Sequence, residues 1–329
     1  MTIEGYSEAA LHAAAVAGGR APSMHNTQPW RFRLRGGAVE VLADRTRALP
    51  VADPSGWALR LACGAAAFNA RLALAALGRP AQVVLRPDRT DPELMVRLEP
   101  APPRPPSAAE QRLYAAVPRR HSNRAPFWPE PVSADLRTRL VEAAVAEGGW
   151  LELLIGLGPV AALAEIAQAA NRVLERDDRY QAELAAWTRP DETWPDGVPA
   201  AAGGPSPEPQ DLLPQRRMGQ SPRAPGRDFE PEPLVGVLGT AGDHPRDQLI
   251  AGQALQRVLL TATDLGLAVS MLSQPIEVAA AREQLRLALA RYGTPQLILR
   301  IGYGQPGFPT PRLDPAVLID RREPVPGTA

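Results

Sequence analysis

The chain changes its hydrophobic period several times, and each change marks an element. Residues 6–17 carry Ala and Leu at helical spacing and Gly18-Gly19 ends the run, so a helix is expected there. The stretch "WRFRL" from Trp30 alternates apolar and basic positions as a half-buried strand does. Gly36-Gly37 then signals a hairpin, and "AVEVLAD" is the returning strand. Trp57 to Leu77 reads as one long apolar helix closed by Gly78, with "AQVVL" and "LMVRLEP" following as strands. A Pro-rich joint, "PAPPRPP", ends this half near residue 106.

Much of that order then recurs. A helical run near 133–147 leads into "GGWLELLIG", whose Trp150 matches Trp30, and "LIAGQALQRVLLTATDLGLAVSML" shadows "LACGAAAFNARLALAALGRPAQVVL". Gly64 and Gly78 are 14 positions apart, as are Gly252 and Gly266, and the common offset of 188 also lays Leu61 on Leu249 and Leu77 on Leu265. Repeated order with repeated glycines indicates a duplicated α+β unit. Such a unit stands in for a two-fold dimer, because the chain supplies both copies of the interface patch. The expected halves are 1–106 and 107–329. The second holds an insert, roughly Thr188 to Pro233, rich in Pro and Gly, which cannot bury enough apolar area to fold alone. A segment of this kind is a lid or is disordered, and Trp187 and Trp194 give a lid something to dock with.

Composition narrows the function classes. The 329 residues include 36 basic and 36 acidic ones, a net charge of zero, so no broad basic face calls for nucleic acid or a membrane surface. Every basic residue counted there is Arg, so any phosphate must be held by Arg. The single Cys63 excludes an internal disulfide and a Cys-rich zinc site, and a reducing cytoplasm is expected. "MTIEGYSEAALHAAA" has no basic stretch leading into an apolar one, so no signal peptide is expected. The Trp57–Leu77 run contains Arg60, Asn69 and Arg71, which suits a buried amphipathic helix rather than a membrane span.

Four stretches carry candidate chemistry. In "APSMHNTQPW", Ser23, His25, Asn26 and Gln28 offer hydroxyl, imidazole and amide groups between Pro22 and Pro29; the loop is a ligand cradle or a polar lead-in to the strand. In "RRHSNR", Arg120 and Arg124 with Ser122 between them point the same way if the segment is extended, which puts two guanidinium forks and a hydroxyl on one phosphate, unless the run is a solvated basic turn. In "LGLAVSMLSQPIE", Ser270 to Gln274 leave a strand at its C-terminal end with polar groups exposed to a ligand, or merely form a polar exit. "ILRIGYGQPGFPTPR" spells G-x-G-x-x-G at Gly302, Gly304 and Gly307. The prolines after it bar the helix that a dinucleotide fingerprint needs, which leaves Arg312 as a third candidate phosphate ligand.

Other chemistries are absent. His12, His25, His121 and His244 have no metal spacing, and no G-x-S-x-G or G-x-x-x-x-G-K-[ST] motif occurs. A chain with no evident nucleophile or metal site commonly relies on an organic cofactor.

With "PSMHNTQPW" and Arg120-x-Ser122-x-Arg124 in place, the chain resembles the flavin-dependent nitroreductase family, and within it the Acg-like actinobacterial subgroup with two fused nitroreductase-like domains. The resemblance covers nearly the whole chain except the insert. It implies an α+β fold of two fused units forming an internal pseudo-dimer under a Pro-rich lid. It also implies FMN as cofactor, with Arg120, Ser122, Arg124 and Arg312 toward the phosphate and Ser23, Met24, His25, Asn26 and Gln28 approaching across the internal interface. Ser270, Met271, Leu272, Ser273 and Gln274 would run along the flavin ring. No catalytic acid and no metal ligand is named.

The duplication adds a point of its own. The first half has no R-x-S-x-R before its first helix, and the second half's counterpart of the 23–28 loop is short by six residues, so one FMN per chain in a pseudo-dimeric monomer is expected. The leading function is an FMN oxidoreductase moving hydride between NAD(P)H or an organic substrate and a small acceptor. The alternatives are an FMN-sequestering protein whose lid occludes the ring, and a flavin desaturase or dehalogenase of a specialised metabolite.

Overall fold

The computed structural model describes residues 4–86, 91–206, 208, 211–214, 216–218 and 228–321. In the insert, residues 207, 209–210, 215 and 219–227, which include most of "SPRAPGRDFEPEP", lie outside the described residues.

The first half opens with α1 (Glu8–Gly18), whose N-cap Ser7 side chain accepts from Ala10 N. The expected hairpin follows as β1 (Trp30–Arg35) and β2 (Ala38–Ala43), turning on Gly36 and Gly37, both at positive φ. Helix α2 (Trp57–Ala76) is started by Gly56 in the left-handed region and by Asp53, whose Oδ2 accepts from Leu59 N at 2.9 Å. Strands β3 (Ala81–Leu85) and β4 (Leu94–Pro100) complete an antiparallel sheet in the order β1-β2-β4-β3.

The second half starts with α3 (Ala108–Ala116), fixed by a Ser107/Glu110 capping box. It continues through α4 (Ala134–Val145), β5 (Trp150–Leu154), α5 (Leu157–Glu175) and α6 (Asp178–Ala186). The insert contributes the two-residue strands β6 (Thr188–Arg189) and β7 (Val198–Pro199), paired in parallel. Then come β8 (Leu234–Thr240), α7 (Pro245–Asp264), β9 (Ala268–Leu272), α8 (Gln274–Glu277), α9 (Ala279–Ala288), β10 (Thr294–Gly302) and α10 (Pro315–Leu318). The second sheet runs β5-β8-β10-β9, so in both sheets the strands lie in the order first, second, fourth, third. Trp30 and Trp150 each open the first strand of their sheet.

The two long helices pack against each other in parallel register. Gly64 meets Gly252, Arg60 Nε donates to Gln248 Oε1 at 2.5 Å, and Gln256 donates to Asn69 Oδ1 at 2.7 Å. Small side chains make the approach possible: Gly64, Ala65 and Ala66 line α2 where a bulkier residue would hold the helices apart. Helix α2 is long and apolar enough to cross a membrane, and the 89% burial of its apolar window marks it as a core helix instead. Cys63 sits in it, fully buried, as a small core side chain.

After β10 the chain runs without a helix to Pro315, as the prolines after Gly307 require. Its tail then crosses to the first sheet. Asp320 N donates to Phe32 O at 2.7 Å, and Arg31 pairs with Asp320 at 3.0 Å. Helices α5 and α6 lie where the sequence offered no explicit signal, and they carry the insert between them and β8.

Candidate functional site

The loop from Pro22 to Pro29 has the densest run of left-handed non-glycine backbone among the described residues. His25, Asn26 and Gln28 have φ of 51°, 55° and 52°, three of the five non-glycine residues at positive φ among the described residues. Such geometry costs on the order of 1 kcal/mol per residue and persists only where the surroundings over-determine it. Here they do. Ser23 Oγ accepts from Gln28 N at 2.9 Å, Asn26 donates to Gly197 O at 2.9 Å and Pro311 O at 3.0 Å, and Gln28 donates to Pro195 O at 3.0 Å. Asn26 Oδ1 accepts from Arg312 at 2.9 Å, and Gln28 Oε1 from Leu313 N at 2.9 Å. Asn26 and Gln28 thus spend their amides on the insert and the C-terminal tail, and act here as braces.

The 120–124 segment is extended and lies beside β9: Ser122 forms a bridge with Val269, and Asn123 N donates to Val269 O at 2.9 Å. Its two arginines reach different neighbourhoods. Arg120 joins Arg312, whose charge it repels, and donates to the carbonyl of Arg20 at 3.5 Å, while Arg312 donates to that of Ala21 at 3.4 Å. Arg124 donates to Ala202 O at 2.8 Å and lies beside Arg216 and His25.

All three arginines are bonded to neutral oxygens, and burial pushes Arg120 and Arg124 down to about 10 and Arg312 to about 9. They stay protonated at neutral pH, and the depression reflects missing counter-charge. The Nε atoms of Arg120 and Arg312 are buried without a partner. Unpartnered buried cations are costly unless an anion joins them.

A cavity opens between the halves; Arg124 lines it, whereas Arg120 and Arg312 do not and reach it only through the loop that Arg312 bonds at Ala21 and Asn26. Its apolar wall includes Met24, Trp57, Leu61, Leu255 and Leu297; its polar side includes Ser270, Ser273 and Gln274 at the exit of β9, with Met271 and Leu272 between them. His25 is 3% exposed, neither ring nitrogen has a partner, and desolvation followed by Arg216 and Arg124 lowers it well below the usual histidine range. It is therefore a neutral imidazole aimed at the cavity. Three residues from the insert, Pro214, Arg216 and Met218, close one side. Arg216 pairs with the buried Glu277 and donates to Ser273 Oγ at 3.1 Å, while Tyr180 donates to Glu277 at 2.8 Å.

Larger clefts of about 430 Å³ near Trp128 and about 660 Å³ near Asp53 are lined neither by the 22–28 loop nor by Ser270–Gln274. No group of His, Cys, Asp or Glu among the described residues is arranged to hold a metal.

The sequence model of the Nitroreductase family matches residues 117–303. A Mycobacterium tuberculosis protein provisionally named NAD(P)H nitroreductase is 34% identical over 314 residues, covering 92% of this chain and 88% of its own. The chain belongs to the nitroreductase family. A second provisionally named NAD(P)H nitroreductase of M. tuberculosis, acg, is 30% identical over 304 residues, covering 89% of this chain and 90% of its own. Among solved structures, a nitroreductase with bound FMN from Desulfitobacterium hafniense superposes with a TM-score of 0.42 at 16% identity, over 64% of this chain and 98% of that one.

The nitroreductase match spans Arg120–Arg124 and Ser270–Gln274 but neither the 23–28 loop nor Arg312. The fold brings all of these to one junction, with Ser122 on the strand edge beside them. Sequence reasoning missed Trp57, Glu277, Tyr180 and the placement of Arg216. Glu277 closes the quoted "LGLAVSMLSQPIE" stretch without being singled out there, and Trp57, Tyr180 and Arg216 sit in no motif.

Proposed function

We propose that the protein is an FMN-dependent oxidoreductase with one flavin site at the junction of its halves, using NAD(P)H or an organic substrate as hydride donor and a small molecule as acceptor. The observation that carries it is the pair Arg120 and Arg312, buried with unpartnered Nε atoms and, among the described residues, no carboxylate partner, with Arg312 bonded to Asn26 of the loop whose residues 22–25 line a cavity with apolar walls. That pairing of an anion-seeking end with an apolar slot fits a phosphate attached to a flat ring. Arg120, Arg312 and Ser122 hold the phosphate, Asn26 aims Arg312, and Ser270–Gln274 with Met24 and Leu61 flank the ring. Ser23 and Gln28 keep the strained loop closed. Arg124 lies further in, where a cation favours a reduced, negatively charged ring. When bound, FMN supplies hydride and electron transfer; the protein excludes water and sets orientation.

The internal pseudo-dimer, with units 1–106 and 107–329, belongs to the same reading. Its support is the shared strand order and the parallel α2/α7 pairing at the offset of 188 seen in the glycines. Among the described residues only one junction carries such a pair of arginines, so one FMN per chain follows from this reading. Flavin-to-protein stoichiometry from the visible spectrum tests it: two equivalents per chain would refute the single site, and no bound or bindable flavin would refute the cofactor.

A second reading, flavin sequestration under a lid, is favoured by Arg216, which the Glu277 pair and Ser273 hold over the cavity from the insert side. Anaerobic NADPH added to the flavin-loaded protein separates the two. Prompt bleaching supports turnover. Bands that persist in the native chain but bleach in Arg216→Ala support the lid.

A further inference from the structure

One wall of the cavity comes from the insert. Of the three insert residues on it, Pro214 and Met218 are apolar, and Arg216 lies between them in sequence. Arg216 is held from behind. One of its terminal nitrogens pairs with Glu277 and donates to Ser273 Oγ at 3.1 Å, and Tyr180 donates to the other Glu277 oxygen at 2.8 Å. The Glu277 side chain is 1% exposed and lines the separate cleft near Asp53 rather than the cavity. Both Glu277 oxygens are thus engaged, whereas Arg216 Nε and its second terminal nitrogen have no hydrogen-bond partner among the described residues.

Among the described residues two arginines line the cavity, Arg124 and Arg216, and no carboxylate does. His25 lies within the field of both and is kept neutral by burial, so it brings one N–H and no charge. A positive, donor-rich wall beside Met24, Trp57 and Met218 suits an aromatic ring that carries an anionic group.

We infer that Arg216 recognises the small acceptor of the flavin site and that this acceptor is an aromatic carboxylate, its anionic group held by Arg216 and His25. The inference rests on the oxidoreductase reading above, which gives Arg124 to the flavin ring and leaves Arg216 for the molecule that takes up the electrons. Glu277 is then a positioning residue. It aims the guanidinium, and its own charge weakens the pull of Arg216 on a second anion.

The probes are benzoate and benzamide, which share a ring and a size and differ in charge. Bound beside the flavin, each perturbs its visible absorption, so titration of the flavin-loaded protein gives both dissociation constants. The native chain should prefer benzoate about tenfold or more, and Arg216→Gln should weaken benzoate by about tenfold, the scale of one charge-assisted hydrogen bond. Benzamide should be unaffected. Glu277→Gln keeps an oxygen for Arg216 and removes the competing charge, so benzoate should bind several-fold tighter. If the pair only ties the insert down, Glu277→Gln weakens both probes together, and that result would overturn the inference. Equal affinity of the native chain for the two probes would overturn it as well.

Flavin-free protein separates this inference from the reading it rests on. A rise in Tm with benzoate that is absent in Arg216→Gln supports the anion pocket even if the chain takes up no FMN, an outcome that refutes the flavin reading alone. Flavin that binds and bleaches with NADPH, while benzoate and benzamide bind alike, refutes the anion pocket alone.

Discussion

Gly64 of α2 faces Gly252 of α7 so closely that a Cβ on Gly64 would lie 3.1 Å from the Gly252 Cα and would collide with the Leu249 carbonyl. A Cβ on Gly252 would collide with the Leu61 carbonyl in turn. The neighbours are backbone, so relief requires the helices to separate along the contact that joins the two sheets. Gly64→Ala and Gly252→Ala should each destabilise the fold by about 3 kcal/mol or more, in the range of overpacked cores. Gly158 in α5 has open space around its Cα, and Gly158→Ala should be neutral or stabilising by up to about 1 kcal/mol. Chemical denaturation of the three variants checks the contrast.

Asp53 is 8% exposed, and burial raises its carboxyl to about 6 despite the helix N–H group it accepts. The native state therefore holds this proton more tightly than the unfolded chain does. Its contribution to stability is complete below the unfolded value near 3.8 and is lost as pH rises through about 6. Asp53→Asn removes that loss while keeping an acceptor oxygen for Leu59 N. The variant should gain on the native chain by up to about 3 kcal/mol at pH 8 and gain little at pH 4. Denaturation midpoints at the two pH values decide, and an advantage that does not change with pH would refute the mechanism.

His25 and His121 pull the other way. Both are lowered by burial and by neighbouring arginines, His121 to about 4. The unfolded chain binds their protons first as pH falls below about 6.5, so the stability tied to their neutral forms is present above that value and declines below it. Replacing His25 with Gln should flatten the acid limb of the stability curve below about pH 6.5. An unchanged slope would show that His25 is protonated in the folded chain.

Asn26 is the joint between the insert and the tail arginine, donating to Gly197 O and accepting from Arg312. Asn26→Asp keeps the acceptor, places a carboxylate against Arg312 and loses the donor to Gly197. It should weaken FMN at least tenfold, because an internal counter-ion then competes with the phosphate. It should also loosen the insert, which limited proteolysis near 188–199 would report. Asn26→Ala should cost affinity less than the Asp variant does; the reverse order would refute the competition.

Local spacing located α1, α2 and β1, whose burial follows their sequence pattern, while α7 was legible through its likeness to α2. The glycine offset of 188 marked α2 and α7 as counterparts, and the structure adds that Gly64 and Gly252 face each other, since close backbone approach requires small residues. The separation of Arg124 from Arg120 and Arg312 and the neutral His25 were not legible, because each depends on side-chain direction and desolvation set by segments distant in sequence. Sequence by itself determined which chemical groups were available and which helices had to be buried; tertiary structure decided which charges meet, since electrostatics acts through space and its strength depends on the water that folding removes.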